Sequence, residues 1–145
     1  MKLAFGSDER TPLTDAVLAD LRDRGHVVTV IGPAAGAPGE AEKQWAQVGR
    51  EVGEAVANGD AEGAVLFCWT GTGASIAANK VAGVRAALCA DAATAAGARR
   101  WNDANVLVMG LRLTSIEVAR EMLDTWFTTA PDPDEAVNIA RLEPG

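Results

Sequence analysis

Residues 64–80 read Ala64-Val65-Leu66-Phe67-Cys68-Trp69-Thr70-Gly71-Thr72-Gly73-Ala74-Ser75-Ile76-Ala77-Ala78-Asn79-Lys80. The run 64–68 is apolar without period-2 alternation, which predicts a strand buried on both faces between two helix layers. It ends in Cys68, and a turn spaced by Gly71 and Gly73 then opens a helix. Working outward, further short apolar runs at 3–6, 27–31, 84–88 and 106–109 are strand candidates. Helical periods separate them. Leu13, Val17, Leu18 and Leu21 form one stripe, with Pro12 placed at a first helical turn. Trp45, Val48, Val52 and Val56 form a second, and Ile116, Ala119, Met122, Leu123, Trp126 and Phe127 a third.

Strand–helix alternation repeated along the chain predicts an α/β fold with a parallel sheet. No Gly-x-Gly-x-x-Gly follows the first strand, which favours a flavodoxin-like order over a dinucleotide-binding one. The expectation is a three-layer flavodoxin/Rossmann-like fold, its five-stranded parallel sheet in the order 2-1-3-4-5 with helices on both faces. Residues 1–145 make a single domain. Residues 32–40, rich in Gly, Pro and Ala, predict a mobile loop without period, and Pro131-Asp132-Pro133-Asp134 a stop followed by a short last helix. In such a sheet the first and third strands are neighbours and ligands bind beyond their C-terminal ends. That puts Gly6-Ser7-Asp8-Glu9 beside the Cys68–Gly73 turn before any family is considered.

Composition narrows the function. Hydrophobic residues make up 48% and charged residues 23%, a globular balance, and the net charge of -7 argues against a nucleic-acid partner. There is no polybasic segment for an anionic membrane and no apolar run long enough for a membrane helix. The first apolar stretch is too short for a signal peptide. Cys68 and Cys89 stand apart, which suits reduced thiols in a cytoplasmic protein. One histidine, His26, and two distant cysteines assemble no soft metal site, and no cofactor is expected.

The chemistry concentrates at the turn. Glycines at 71 and 73 let backbone N–H groups approach a phosphate or a developing oxyanion, and the helix N-terminus adds its positive end. A thiol ionises near about 8.5 in solution and nearer neutrality beside a helix N-terminus. Cys68 can therefore serve as a base that removes a proton from carbon next to a carbonyl. The plainer alternatives are an ordinary strand–helix connection and a space-filling cysteine. Cys89 has no such loop after it.

Several motifs carry a resemblance. Gly6-Ser7-Asp8-Glu9 is similar to a Gly-Cys-Asp-His at the end of the first strand of the ribose-5-phosphate isomerase B / galactose-6-phosphate isomerase family. Residues 68–80 resemble its Cys-Gly-Thr-Gly-x-Gly-x-Ser-x-x-Ala-Asn-Lys. Gly83-Val84-Arg85-Ala86 resembles Gly-x-Arg-Ala, residues 101–107 resemble His-Asn-Asp-x-Asn-x-Leu, and Gly110-Leu111-Arg112 falls on Gly-x-Arg. The resemblance implies a metal-independent aldose–ketose isomerase acting on a sugar or sugar phosphate through a cis-enediol(ate). It also implies a homodimer, or a dimer of dimers, with sites shared between subunits. By it Cys68 is the base, Thr70 assists at the substrate oxygens, and Gly71 and Gly73 frame the oxyanion site. Asp8 and Asn102 bond sugar hydroxyls, and Arg112 reaches an anionic end.

The departures are specific. Glu9 stands where the family has histidine beside the first-strand Asp. Trp69 replaces the glycine after the catalytic cysteine, and Trp101 replaces the ring-opening histidine. The family's C-terminal arginine segment gives way to Asp132-Pro133-Asp134-Glu135. Losing those cations costs several kcal/mol at a phosphate, at about 1.5–3 kcal/mol per charge-assisted bond. Two isomerase readings follow: a short, open-chain sugar phosphate that needs no ring opening, or a non-phosphorylated sugar stacked on Trp45, Trp69 and Trp101. A non-catalytic ligand-binding protein on the same scaffold is the alternative from another class.

Overall fold

A computed structural model of the chain describes residues 1–35 and 39–143. Five strands, β1 (Lys2–Ser7), β2 (Val27–Ile31), β3 (Gly63–Cys68), β4 (Ala86–Leu88) and β5 (Val106–Gly110), form one parallel sheet. The helices between and after them are α1 (Pro12–Asp23), α2 (Trp45–Ala57), α3 (Thr72–Asn79), α4 (Ala92–Asn102), α5 (Ile116–Thr128) and α6 (Ala136–Ala140). Of the loop at 32–40, residues 36–38 lie outside the described residues, and its flanks form 3-10 turns at Pro33–Ala35 and Glu40–Glu42.

The three-layer α/β architecture is the expected one. Alternate residues of each central strand face opposite layers. Leu3, Phe5, Val65, Phe67, Leu107 and Met109 pack under α1, α4 and α5, while Ala4, Ala64, Leu66, Cys68, Val106 and Val108 pack under α2 and α3. One face is thus built of large side chains and the other of smaller ones. On the smaller face α2 and α3 come into backbone contact. A methyl group added at Gly49 would lie 2.8 Å from the Ala74 carbonyl and 2.9 Å from the Ala77 methyl.

The order of the last two strands is β2-β1-β3-β5-β4, so β5 pairs with β3 and β4 lies at the edge. The physical reason is burial. All of β5 is buried, whereas β4 has only three residues and its Leu88 is 40% exposed. The outer edge of β4 is closed by a side chain: Asn79 accepts from the Ala86 N–H at 2.8 Å and donates to the Ala86 carbonyl at 2.9 Å. That pairing blunts an edge that would otherwise template another strand. Strand β4 also begins later than its apolar run suggests, because the Arg85 N–H donates to the Asn105 side chain.

With β5 inside, Cys68 is in register with Gly110, and the segment after β5 reaches the turn after β3. Leu111 N–H donates to the Cys68 carbonyl at 3.0 Å and Arg112 N–H to that of Trp69 at 2.9 Å.

Replacing Gly49 by alanine tests the helix contact. Helix propensity alone favours alanine by about 1 kcal/mol. The Ala74 carbonyl is backbone and cannot yield cheaply, so we expect Gly49→Ala to destabilise the fold by about 1–2 kcal/mol in urea unfolding.

Candidate active site

The C-terminal ends of β1 and β3 carry the site. Ser7, the last residue of β1, donates its hydroxyl to the Glu9 carbonyl at 2.5 Å and accepts from the Glu9 N–H at 3.2 Å. This tight turn sets Asp8 facing a cleft of about 380 Å³ and leaves Glu9 exposed outside it. The cleft is lined by Asp8, Trp45, Cys68, Trp69, Thr70, Thr72, Gly73 and Ile76. Cys68 is only 5% exposed. The Thr70 and Thr72 hydroxyls lie 2.7 Å apart in a hydrogen bond in which either can be the donor.

Gly71 caps α3 with a φ of 80°, a conformation that suits glycine, and a side chain there would collide with Leu88. It offers no side-chain acceptor, so the first N–H groups of α3 stay open at the cleft. Gly110 is constrained too, because a methyl group on it would come within 2.8 Å of the Thr70 carbonyl. Gly73 lies beneath the indole of Trp45, whose Cε3 would be 2.7 Å from an added Cβ.

Asp8 is half-buried and its Oδ1 is shielded from solvent without a hydrogen-bond partner among the described residues. Burial first, and the Glu9 carboxylate second, hold its carboxyl above the ordinary aspartate range, against a backbone hydrogen bond that lowers it. Among the described residues, no lysine, arginine or histidine lines this cleft. Arg112 is exposed, its backbone tied to Trp69. Arg10 is spent on an exposed ion pair with Asp15 at 2.9 Å.

Within the chain the structure therefore brings together Asp8, Cys68, Trp69, Thr70, Gly71 and Gly73. It does not bring Trp101 and Asn102 to them. Those two end α4 and line a separate cavity of about 650 Å³ together with Cys89 and Asp91. The turn after Asn102 is heavily braced. Asp103 has a φ of 46° and accepts from Arg99 at 3.1 Å, while Arg85 donates to the Asp103 carbonyl at 2.8 Å. Asn105 ties the same turn to Gly83 and Arg85. Thr72 and Ile76 are cleft residues that the sequence did not single out as site residues; of the three tryptophans expected to stack on a sugar, Trp45 and Trp69 line the cleft.

Cys89 contrasts with Cys68. Burial, with a contribution from Asp91, pushes its thiol up to about 11. Among the described residues no group of three or more His, Cys, Asp or Glu side chains comes together to hold a metal ion, and no helix is long and apolar enough to cross a membrane.

The chain is similar to known proteins. The family described as Ribose/Galactose Isomerase matches residues 3–142. Ribose-5-phosphate isomerase B of Escherichia coli (strain K12) is 39% identical over 126 residues, 86% of this chain and 82% of that protein. D-erythrulose-4-phosphate isomerase 2 of Mycolicibacterium smegmatis is 33% identical over 137 residues, 94% of this chain and 90% of that one. The solved ribose-5-phosphate isomerase B of Clostridium thermocellum superposes with a TM-score of 0.88 at 33% identity, covering 98% of this chain and 95% of that one. The chain belongs to the ribose/galactose isomerase family.

Two predictions follow from the ionisable groups. Asp8 favours its protonated form in the fold, so its contribution to stability is present at low pH and lost as pH rises through its raised value. Above that value the ionised carboxylate is a burden, and Asp8→Asn should raise the urea midpoint at pH 7 relative to pH 3. For Cys89 the neutral thiol is favoured, so stability falls as pH rises from about 9, where an unfolded thiol ionises, to about 11. The difference in urea stability between wild type and Cys89→Ala should narrow across that interval.

Proposed function

We propose that the protein interconverts an aldose and a ketose of a short, open-chain sugar phosphate through a cis-enediolate, with Cys68 as the base. The observation that carries the reading is that Cys68, Asp8 and the first residues of α3, Thr72 and Gly73, meet in one cleft. The Cys68 thiolate takes the proton from C2 of the aldose, and the C2–H electron pair forms the C1–C2 double bond of the enediolate. The loop N–H groups hold the oxygen on which charge develops. Thr70, paired with Thr72, moves a proton between the substrate oxygens, and the Cys68 thiol returns its proton to C1. Atoms and electrons balance without an added oxidant or cofactor.

The short-chain reading follows from what is missing. A tetrose phosphorylated on its terminal oxygen cannot close the usual ring, so tryptophan at 101 in place of the family's histidine costs it nothing. One anionic end can be shared by the α3 N-terminus and Arg112, which is less demanding than the family's arginine set. The M. smegmatis relative is named for a four-carbon ketose phosphate, and its likeness over 94% of the chain supports the same size class here. Asn102 opens into a different cavity from Cys68, which supports a homodimer in which Asn102 of the partner subunit bonds the substrate. The second reading, a non-phosphorylated sugar, is favoured by the absence of any cationic side chain lining the cleft.

The test is proton NMR in D₂O with four-, five- and six-carbon sugars, each phosphorylated and free. Deuterium appearing at C1 or C2 of a phosphorylated short sugar is the expected outcome. Response from free sugars alone moves the assignment to the second reading, and silence moves it to a binding role. Cys68→Ala should lose at least about 100-fold in wash-in rate, the low end for a proton-transfer group. Cys89→Ala should keep the rate.

A further inference from the structure

Trp45, Gly49 and Gly53 stand four residues apart on one face of α2, and that face packs on α3. A methyl group at Gly53 would lie 3.1 Å from the Ala78 carbonyl, as one at Gly49 would meet Ala74. With the two helices in backbone contact, no room is left between them for an indole. One turn earlier, the Trp45 side chain is therefore directed past the N-terminal end of α3. Its six-membered ring lies over Gly73, with Cε3 and Cζ3 at 2.7 and 2.9 Å from where a Cβ would stand.

The entry to α2 is held as well. Lys43 pairs with Glu40 at 2.5 Å and with Glu51 at 3.2 Å. The helix contact bounds the indole on the α3 side, and the turn from which α2 starts is itself held by ion pairs. It is 46% exposed, and its exposed part forms a wall of the cleft that holds Cys68 and Asp8. The carbon face of an indole offers no strong hydrogen-bond partner to a sugar hydroxyl pressed against it. Burying such a hydroxyl unpaired is unfavourable.

We propose that Trp45 sets the chain length the site accepts, admitting a four-carbon sugar phosphate and excluding a five-carbon one. The inference rests on the isomerase reading above and names the size of its substrate. A pocket wall distinguishes one added methylene by about 10- to 200-fold. One further CHOH unit against the indole falls in that range or above it.

The experiment compares kcat/KM for erythrulose 4-phosphate and for ribose 5-phosphate in wild type, Trp45→Ala and Trp45→Phe. Wild type should prefer the four-carbon substrate. Trp45→Ala should raise the five-carbon to four-carbon ratio at least tenfold, mainly through a lower KM for ribose 5-phosphate, and Trp45→Phe should fall between. A ratio unchanged within twofold in the folded variants, or a wild type that prefers the five-carbon substrate, overturns the role of Trp45 and leaves the isomerase reading standing. A wild type that turns over neither and washes deuterium into neither overturns both. If Trp45→Ala does not fold, Trp45→Phe alone decides, with a threefold rise in the ratio as the expected result and no rise as the contrary one.

Discussion

Two backbone hydrogen bonds fix the site: Leu111 N–H to the Cys68 carbonyl and Arg112 N–H to the Trp69 carbonyl. Each contributes only about 1 kcal/mol net to stability. Their geometric effect is larger. They hold the turn after β3 against the segment that leaves β5, so Cys68, the glycine turn and the Arg112 backbone are tied into one unit. That unit requires the two chains to approach closely, and glycine at 71 and 110 is what permits it. It also requires β5 to lie next to β3. The inward placement of β5 is therefore a condition of the site as well as of the sheet.

The uneven core has a functional consequence. The large side chains under α1, α4 and α5 make a thick, apolar layer, while alanines and valines under α2 and α3 let those helices settle close to the strands. Gly6 continues this pattern. A methyl group there would come within 2.5 Å of Val52. The thin layer brings the α2 and α3 N-termini down to the ends of β1 and β3. Cys68 points to this layer and sits beneath the α3 N-terminus, at the rim of the cleft. Had Cys68 faced the thick layer, as Phe67 does, no substrate could reach it.

Much of this was legible in the residues. The strands declare themselves because a strand covered on both faces has little alternative to being apolar throughout, and the turn after Cys68 because its glycines are spaced for backbone approach. The order of β4 and β5 was not legible. The runs at 84–88 and 106–109 are similarly apolar, and what separates them is long-range: Arg85 is engaged by Asp103 and Glu143, and Ala86 by Asn79. The exact position of Trp45, expected only as one of three tryptophans stacked on a sugar, was hidden for the same reason. Its period marks a helix face, but only the contact of Gly49 and Gly53 with Ala74 and Ala78 turns that face into a cleft wall. Asn102 and Trp101 could be read as motif residues, yet their separation from Cys68 within one chain depends on the sheet order.

The charge around the cleft can be reconciled with an anionic substrate. A chain of net charge -7 with a carboxylate at the site and no cation lining it is poorly suited to phosphate if Asp8 is fully ionised and free. Burial and Glu9 both hold the Asp8 carboxyl above the ordinary aspartate range, which lessens its preference for the charged form beside an anion. Glutamate at position 9, in place of the family's histidine, thus acts through Asp8 while lying outside the cleft. Within the cleft, the groups able to attract an anion are the backbone N–H groups at the start of α3. On the proposed isomerase reading, such an arrangement favours a small substrate whose charge sits close to its reacting carbons, where one cradle can hold both the anionic end and the enediolate oxygen.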